Sequence, residues 1–180
     1  MGIFFGAAMG RVVFITGGAR SGKTTFALRE GARAAGAGRK VYIATAQALD
    51  GEMAERIARH KKERGSAWET VEAPVHLDEA VRECAAAGVM VIDCLTLWLS
   101  NLVCGGLGVE EAQGALLAAL GALNGQVRAY VVSNEVGMGI VPENDMARLF
   151  RDMAGRLNQA VAQVADEVYL MVSGLPLRIK

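Results

Sequence analysis

A short segment near the start of the chain has the residue types and the spacing of a phosphate-binding loop. Residues 17–24 read GGARSGKT and match the pattern G-x-x-x-x-G-K-[ST] without a mismatch. Glycines let successive backbone N–H groups converge on phosphate oxygens, and the N-terminus of a following helix adds positive partial charge. We expect Lys23 to be a catalytic residue whose ammonium bridges the outer phosphates. We expect the Thr24 hydroxyl to ligate Mg²⁺. The alternative is a glycine-rich turn without a ligand. The predicted nucleotide contacts of this segment are Gly17, Gly18, Ala19, Arg20, Ser21, Gly22, Lys23, Thr24 and Thr25.

A carboxylate is expected beside the bound triphosphate, because Mg²⁺ is held by oxygen ligands. Asp93 closes the apolar run VMVID, which places it at the carboxyl end of a neighbouring buried strand. We therefore predict that Asp93 and Thr24 are the metal ligands of the protein. The alternative is that Asp93 only caps the segment that follows it.

The elements that must position these residues alternate along the chain. Short β-branched runs are followed by longer segments of helical period, which is typical of βαβ units around a parallel sheet. We predict strands at residues 11–16, 40–45, 89–93, 128–133 and 167–172, and a weaker one at 68–72. We predict helices at residues 23–36, 52–64, 77–87, 109–123 and 144–165. Because the strands are continuously apolar, helices must cover both faces. The expected fold is α/β, P-loop NTPase-like and RecA-like, with a mostly parallel sheet.

Composition limits the classes of function. The chain has 180 residues with 19 basic and 19 acidic side chains, so it lacks the net charge that gathers nucleic acid or an anionic membrane. A small-molecule partner is favoured. Three cysteines without CxxC spacing and two histidines predict reduced thiols in a cytoplasmic protein. The apolar residues 1–10 are too short to span a bilayer and are expected to be an extraneous extension, while residues 11–180 form one P-loop domain.

Two polar residues follow the predicted strand 128–133 at the edge where open α/β sheets bind ligands. These residues, Asn134 and Glu135, are predicted ligand contacts, and the glycines and proline of residues 137–142 shape a loop that could close on a substrate. The alternative is a structural turn. The segment SNEVG lacks the Lys and Asp of the guanine-recognition motif N-K-x-D, so a regulatory GTPase is disfavoured.

Several longer blocks give the chain a resemblance to a known family. They are GGARSGKT at 17–24, YIAT at 42–45, DGEMAERIARHKKER at 50–64, WETVEAP at 68–74, DCLTLWLSN at 93–101, SNEVGMGIVPEN at 133–144 and FRDMAGRLNQ at 150–159. In these blocks the chain resembles the bifunctional adenosylcobinamide kinase / adenosylcobinamide-phosphate guanylyltransferases of cobalamin biosynthesis. The similarity runs in unbroken order from residue 12 to residue 180.

The resemblance implies an enzyme with two steps. The first phosphorylates the aminopropanol hydroxyl of adenosylcobinamide with a nucleoside triphosphate, either ATP or GTP. The second transfers GMP from GTP onto that phosphate and releases pyrophosphate. The resemblance also implies that His60 is guanylylated during this transfer, that Glu72 contacts nucleotide and that the enzyme is a homotrimer. The expected partners are small molecules, with no nucleic acid and no membrane span.

The helical spacing around His60 is compatible with that role. Glu52, Arg56, His60 and Arg64 recur every four residues and are predicted to share one polar face, while Met53 and Ile57 turn toward the sheet. An imidazole nitrogen is a competent nucleophile, and guanidinium groups stabilise charge on a transferring phosphoryl group. The alternative is a solvated helix with scattered charges.

Other functions stay open at this stage. One is a single-activity P-loop kinase without nucleotidyl transfer, and another is a nucleotide-binding regulatory module without turnover. Asp93 and Glu135 are both candidates for the base of the kinase step.

Overall fold

A seven-stranded sheet organises the structure, a computed structural model that describes residues 12–123, 125 and 127–180. The strands are β1 (Val12–Gly17), β2 (Lys40–Ala44), β3 (Glu69–Glu72), β4 (Val89–Asp93), β5 (Arg128–Val132), β6 (Glu167–Val172) and β7 (Leu175–Arg178). Their order across the sheet is β3-β2-β4-β5-β1-β6-β7. β1 to β6 pair in parallel, and β7 pairs antiparallel with β6. The predicted extension at residues 1–10 lies outside the described residues.

Helices cover the sheet on both faces, as the buried strands predict. They are α1 (Lys23–Ala35), α2 (Gly51–Arg64), α3 (Leu77–Glu83), α4 (Leu95–Cys104), α5 (Val109–Gly121) and α6 (Asp145–Val164). Side chains alternate along β1, so that Phe14 joins the core formed with α3 to α6 and Ile15 joins the core formed with α1. In the described part of the chain, α2 adds no side chain to either core. None of the described helices combines the length and the apolar character needed to cross a bilayer.

The predicted strands and helices are confirmed, but one helix was not predicted. α4 follows β4 almost directly, and its sequence LTLWLSNLVC is mostly apolar, with only Thr96, Ser100 and Asn101 as polar residues. Such a helix lacks the polar face that gives a helical period, so it cannot be distinguished from a continued strand by pattern alone. Trp98 on this helix is 1% exposed, and its indole N–H donates to the carbonyl oxygen of Val75. This tryptophan is therefore part of the core.

The second element that was not predicted is β7. Proline in LPLR argues against a central strand, but β7 is exposed at the edge of the sheet, where a missing backbone donor is tolerated. Ser173 and Gly174 join β6 to β7 as a two-residue turn in which both residues have positive φ. A Ser-Gly pair between two apolar runs was the available signal for this hairpin. Predicted helix 77–87 also ends earlier, at Glu83.

Candidate nucleotide-binding site

The loop between β1 and α1 adopts a backbone path that requires glycine at two positions. Gly17 has φ +148°, and a Cβ placed there would lie 2.5 Å from the carbonyl oxygen of Met171. Gly22 has φ +92° at the N-terminus of α1, and a Cβ there would approach the Cα of Gly174 to 3.3 Å. Both positions disfavour any residue with a side chain. The start of α1 is thereby exposed to ligands, because its first backbone N–H groups have no partner within the helix.

The side chain of Lys23 folds back beneath this loop. Its ammonium donates hydrogen bonds to the carbonyl oxygens of Gly17, at 2.9 Å, and Gly18, at 2.7 Å. Lys23 is 7% exposed, and burial lowers the pKa of its ammonium, while the nearby Cys94 and Asp93 oppose this shift. A buried cation that rests on neutral carbonyl groups has no carboxylate in direct contact, so it is available to a phosphate group.

The Thr24 hydroxyl donates a 2.7 Å hydrogen bond to Oδ2 of Asp93. The sequence placed Asp93 on a strand neighbouring the loop strand, but β5 lies between β1 and β4. The two residues still meet because α1 packs across β4 and β5, which carries Thr24 over the end of β4. Thr24 and Asp93 therefore meet because of the path of α1, and not because their strands are neighbours, as the sequence analysis assumed.

The donor set suits Mg²⁺. A threonine hydroxyl and one carboxylate stand together at the start of α1, and Mg²⁺ is commonly bound by one or two such oxygens together with phosphate oxygens and water. In residues 12–123, 125 and 127–180 no cluster of three His, Cys, Asp or Glu side chains exists that could form a metal site of the protein alone. The ligands present therefore fit an ion that arrives with a nucleotide.

Tyr42 on β2 is a part of this site that sequence analysis missed. Its hydroxyl donates to Oδ2 of Asp93 at 2.8 Å. Burial, together with the charge of Asp93 and this hydrogen bond, raises the pKa of Tyr42, so the phenol stays protonated and remains a donor. The guanidinium of Arg64 lies 3.6 Å from the centroid of the Tyr42 ring, and its Nη2 donates to the hydroxyl of Thr70. In the sequence, Tyr42 lies within the apolar run of β2. Only its hydroxyl group distinguishes it from an ordinary core residue.

His60 lies on α2, whose first turn is capped by Asp50 through a 2.7 Å hydrogen bond from the backbone N–H of Met53. Among the side chains of α2 that the structure describes, the half-buried ones are Met53, Ile57, His60 and Arg64, which form one stripe at helical spacing. Met53 and Ile57 turn inward as predicted, but His60 and Arg64 share their half-buried stripe and do not lie on a separate polar face with Glu52, which is exposed. The side chain of Arg56 lies outside what the structure describes.

No described contact joins His60 to the phosphate loop. Among the described residues the imidazole of His60 has no hydrogen bond or ion pair, and α2 reaches the loop site only through Arg64 and Tyr42. Glu72 is exposed at the carboxyl end of β3, two strands away from β4. The structure therefore brings the phosphate loop and Asp93 into contact. His60 and Glu72 lie apart from them, toward the β3 edge of the sheet.

Asn134 and Glu135 do adjoin the loop. The backbone N–H of Glu135 donates to the carbonyl oxygen of Gly17 at 2.9 Å, and the N–H of Asn134 donates to the Thr96 hydroxyl at 2.7 Å. Asn158 of α6, 8% exposed, donates to the carbonyl oxygen of Asn134. The turn after β6 also touches the loop, because the N–H of Gly174 donates to the carbonyl oxygen of Ser21. That turn was not predicted, since the hairpin itself was missed.

A glycine-rich loop at the carboxyl edge of a parallel sheet, leading into a helix with a buried lysine, defines the class of P-loop nucleoside triphosphate-binding proteins. Within that class, the family model described as cobinamide kinase / cobinamide phosphate guanyltransferase matches residues 13–179. The chain belongs to this family of enzymes.

Curated relatives agree with this assignment. The chain is 46% identical over 170 residues to the bifunctional adenosylcobalamin biosynthesis protein CobP of Pseudomonas aeruginosa, covering 92% of this chain and 95% of that protein. It is 40% identical over 183 residues to the protein CobU of Salmonella typhimurium, which has the same bifunctional description, covering 94% and 99%. The CobU of Escherichia coli is 42% identical with the same coverage.

A solved structure supports the fold alone. The flagellar accessory protein FlaH from Methanocaldococcus jannaschii aligns with a TM-score of 0.54 at 12% sequence identity, over 94% of this chain and 78% of that one. The α/β, RecA-like P-loop fold predicted from the sequence is thereby confirmed.

Proposed function

We propose that this chain phosphorylates adenosylcobinamide with a nucleoside triphosphate and then transfers GMP from GTP onto the product. The observation that carries the proposal is the family match over residues 13–179. The buried ammonium of Lys23 beneath the loop and the hydrogen bond between Thr24 and Asp93 support a triphosphate site of the kind that both steps need.

In the kinase step the loop amides and Lys23 hold the phosphates, with the buried Ser21 and the exposed Arg20 and Thr25 as further contacts. Thr24 and Asp93 would hold Mg²⁺, which neutralises charge on the phosphate oxygens when bound. The substrate hydroxyl attacks the γ-phosphorus, its proton passes to a carboxylate, and the nucleoside diphosphate leaves. We assign the base role to Glu135, because Oδ2 of Asp93 already accepts two hydroxyl hydrogen bonds.

In the guanylyl step an imidazole nitrogen of His60 attacks the α-phosphorus of GTP. A P–N bond forms, the bond between the α-phosphorus and the bridging oxygen breaks, and pyrophosphate leaves. A phosphate oxygen of the corrinoid then attacks the same phosphorus, the P–N bond breaks, and the imidazole is regenerated. Support for this step comes from the resemblance of the RIARH block and from the half-buried position of His60, one helical turn before Arg64. Glu72 and Asn134 are proposed as further nucleotide contacts.

We further propose a cytoplasmic homotrimer whose residues 11–180 act as one nucleotide-binding domain. Support for the compartment comes from Cys84, Cys94 and Cys104, which are all free thiols in the structure. Exposed apolar side chains on β7, such as Leu175 and Leu177, offer a surface for subunit contact. Size-exclusion chromatography with light scattering measures the assembly directly.

The test of the proposed function is a labelling experiment. The protein is incubated with GTP labelled at the α-phosphate and then denatured, and acid-labile, base-stable label on the chain reports a phosphoramidate. We expect label on the wild type and on His76→Ala, the matched control at the other histidine, which is exposed. We expect none on His60→Ala, which should still transfer the γ-phosphate to adenosylcobinamide. Label that persists on His60→Ala would refute the assignment of His60 as the nucleophile. An unlabelled wild type that still has kinase activity would favour the single-activity kinase.

A further inference from the structure

The segment between β5 and α6 displays apolar side chains to solvent. Met138 is 78% exposed, Ile140 97% and Val141 60%, and the first turns of α6 add Met146 and Leu149, also exposed. We call residues 136–141 the apolar loop. Contiguous exposed apolar groups on a protein surface commonly mark a binding site, since leaving them in water is unfavourable.

The backbone of the apolar loop is held in place although its side chains are exposed. The N–H of Gly137 donates to Oε1 of Glu135 at 2.6 Å, and the guanidinium of Arg151 donates to the carbonyl oxygen of Gly137, also at 2.6 Å. The guanidinium of Arg148 donates to the carbonyl oxygen of Pro142 at 2.9 Å. These contacts anchor the chain at Gly137 and at Pro142, on either side of Met138, Ile140 and Val141, which limits the free energy that a ligand loses to ordering the loop.

The apolar loop begins at the phosphate site. Glu135, immediately before it, donates its backbone N–H to Gly17 of the phosphate loop. A hydroxyl that accepts the γ-phosphate must come within about 3–3.5 Å of the phosphorus, so the rest of the acceptor molecule must lie over the surface next to the phosphate loop. The apolar loop is part of that surface.

We propose that the apolar loop binds the apolar periphery of the corrin ring of the acceptor; this inference rests on the proposed function. A corrin is a broad, methyl-bearing macrocycle, and Met138, Ile140 and Val141 offer flexible and branched aliphatic groups to it. A second copy of the chain is the competing occupant. A subunit seated permanently on the loop would cover the approach to the γ-phosphate, which favours the substrate instead.

The test compares Ile140→Ser and Met138→Ser with Val164→Ser, a control at the C-terminal end of α6 that is 40% exposed. Fully burying one such aliphatic side chain changes an affinity by about tenfold or more. We expect the KM for adenosylcobinamide to rise about tenfold in both loop variants, with the KM for the nucleoside triphosphate within about twofold of wild type. Ile140→Leu and Val164→Ser should both keep the wild-type KM for adenosylcobinamide.

Equilibrium dialysis of adenosylcobinamide without nucleotide gives a second readout that needs no turnover. Weaker corrinoid binding in the loop variants supports the proposal even if phosphorylation is absent, in which case only the proposed function fails. An unchanged corrinoid KM and dissociation constant would overturn the inference and leave the proposed function intact. It is also overturned if the loop variants dissociate the oligomer while isolated subunits bind the corrinoid normally.

Discussion

Replacing Tyr42 with phenylalanine tests whether the second carboxylate contact controls the metal site. The change removes the hydroxyl that donates to Oδ2 of Asp93 but keeps the ring on which Arg64 stacks. A hydrogen bond to a charged group is worth about 1.5–3 kcal/mol, which corresponds to a factor of about 10–150. Because Thr24 still donates to the same oxygen, we expect the lower end, a loss of about tenfold in metal affinity.

The assay is a titration of Mn²⁺, followed by electron paramagnetic resonance, into the protein with a non-hydrolysable nucleoside triphosphate. The matched control is Tyr130→Phe, because Tyr130 is also a buried strand tyrosine beneath α1 and has no hydrogen bond to Asp93. We expect the control to match wild type. The pKa of Tyr42 is raised, so its phenol is a donor throughout the assay range, and the ratio of the two affinities should stay flat between about pH 7 and pH 9.

If Tyr42→Phe binds Mn²⁺ within about twofold of wild type, the hydroxyl does not position the carboxylate. A loss of affinity that Tyr130→Phe shares would point to general loosening of the α1 layer instead.

Three further predictions concern the phosphate loop, the cysteines and Lys23. Gly17→Ala should lower the free energy of unfolding in urea by at least about 1 kcal/mol, because its Cβ meets a backbone carbonyl at positive φ, whereas Gly18→Ala, with no described atom within 4 Å, should change it little. Cys104 should react with a thiol reagent at about pH 8 while Cys94 stays protected until unfolding, since burial and a neighbouring carboxylate raise the pKa of Cys94 to about 11; fast labelling of Cys94 would contradict this. Lys23→Met should abolish detectable kinase activity yet unfold no more easily than wild type, because a buried charge is removed; retained activity would refute the role of the lysine.

Much of the fold could be predicted because its strongest signals are local. The buried parallel strands are continuous apolar runs, and their helices carry a regular period, so both were recognised along the chain. α4 and β7 were not predicted, for opposite reasons. The first is mostly apolar and lacks a marked polar face, and the second is an exposed edge strand with a proline, so neither has the pattern of its own element.

The residues of the candidate site likewise fall into those that the sequence predicts and those that it does not. The phosphate loop could be predicted because its chemistry lies in consecutive residues whose backbone binds the ligand. The hydroxyl of Tyr42 could not, because it meets Asp93 across 51 residues of sequence and nothing in β2 marks it. Helical spacing correctly turned Met53 and Ile57 inward, but it placed His60 and Arg64 on a polar face with Glu52, whereas both are half-buried. Residues four apart drift around a helix, because one turn holds 3.6 residues.

By itself the sequence determined that this chain builds a parallel α/β sheet with a phosphate loop after its first strand, and which family it resembles. Tertiary structure alone decided that β5 separates β1 from β4, that α1 bridges this gap to join Thr24 with Asp93, and that the apolar loop starts beside Gly17. The physical reason is that backbone geometry and side-chain period act over a few residues. Strand order and the contacts between distant segments depend instead on how apolar surfaces from the whole chain are buried together.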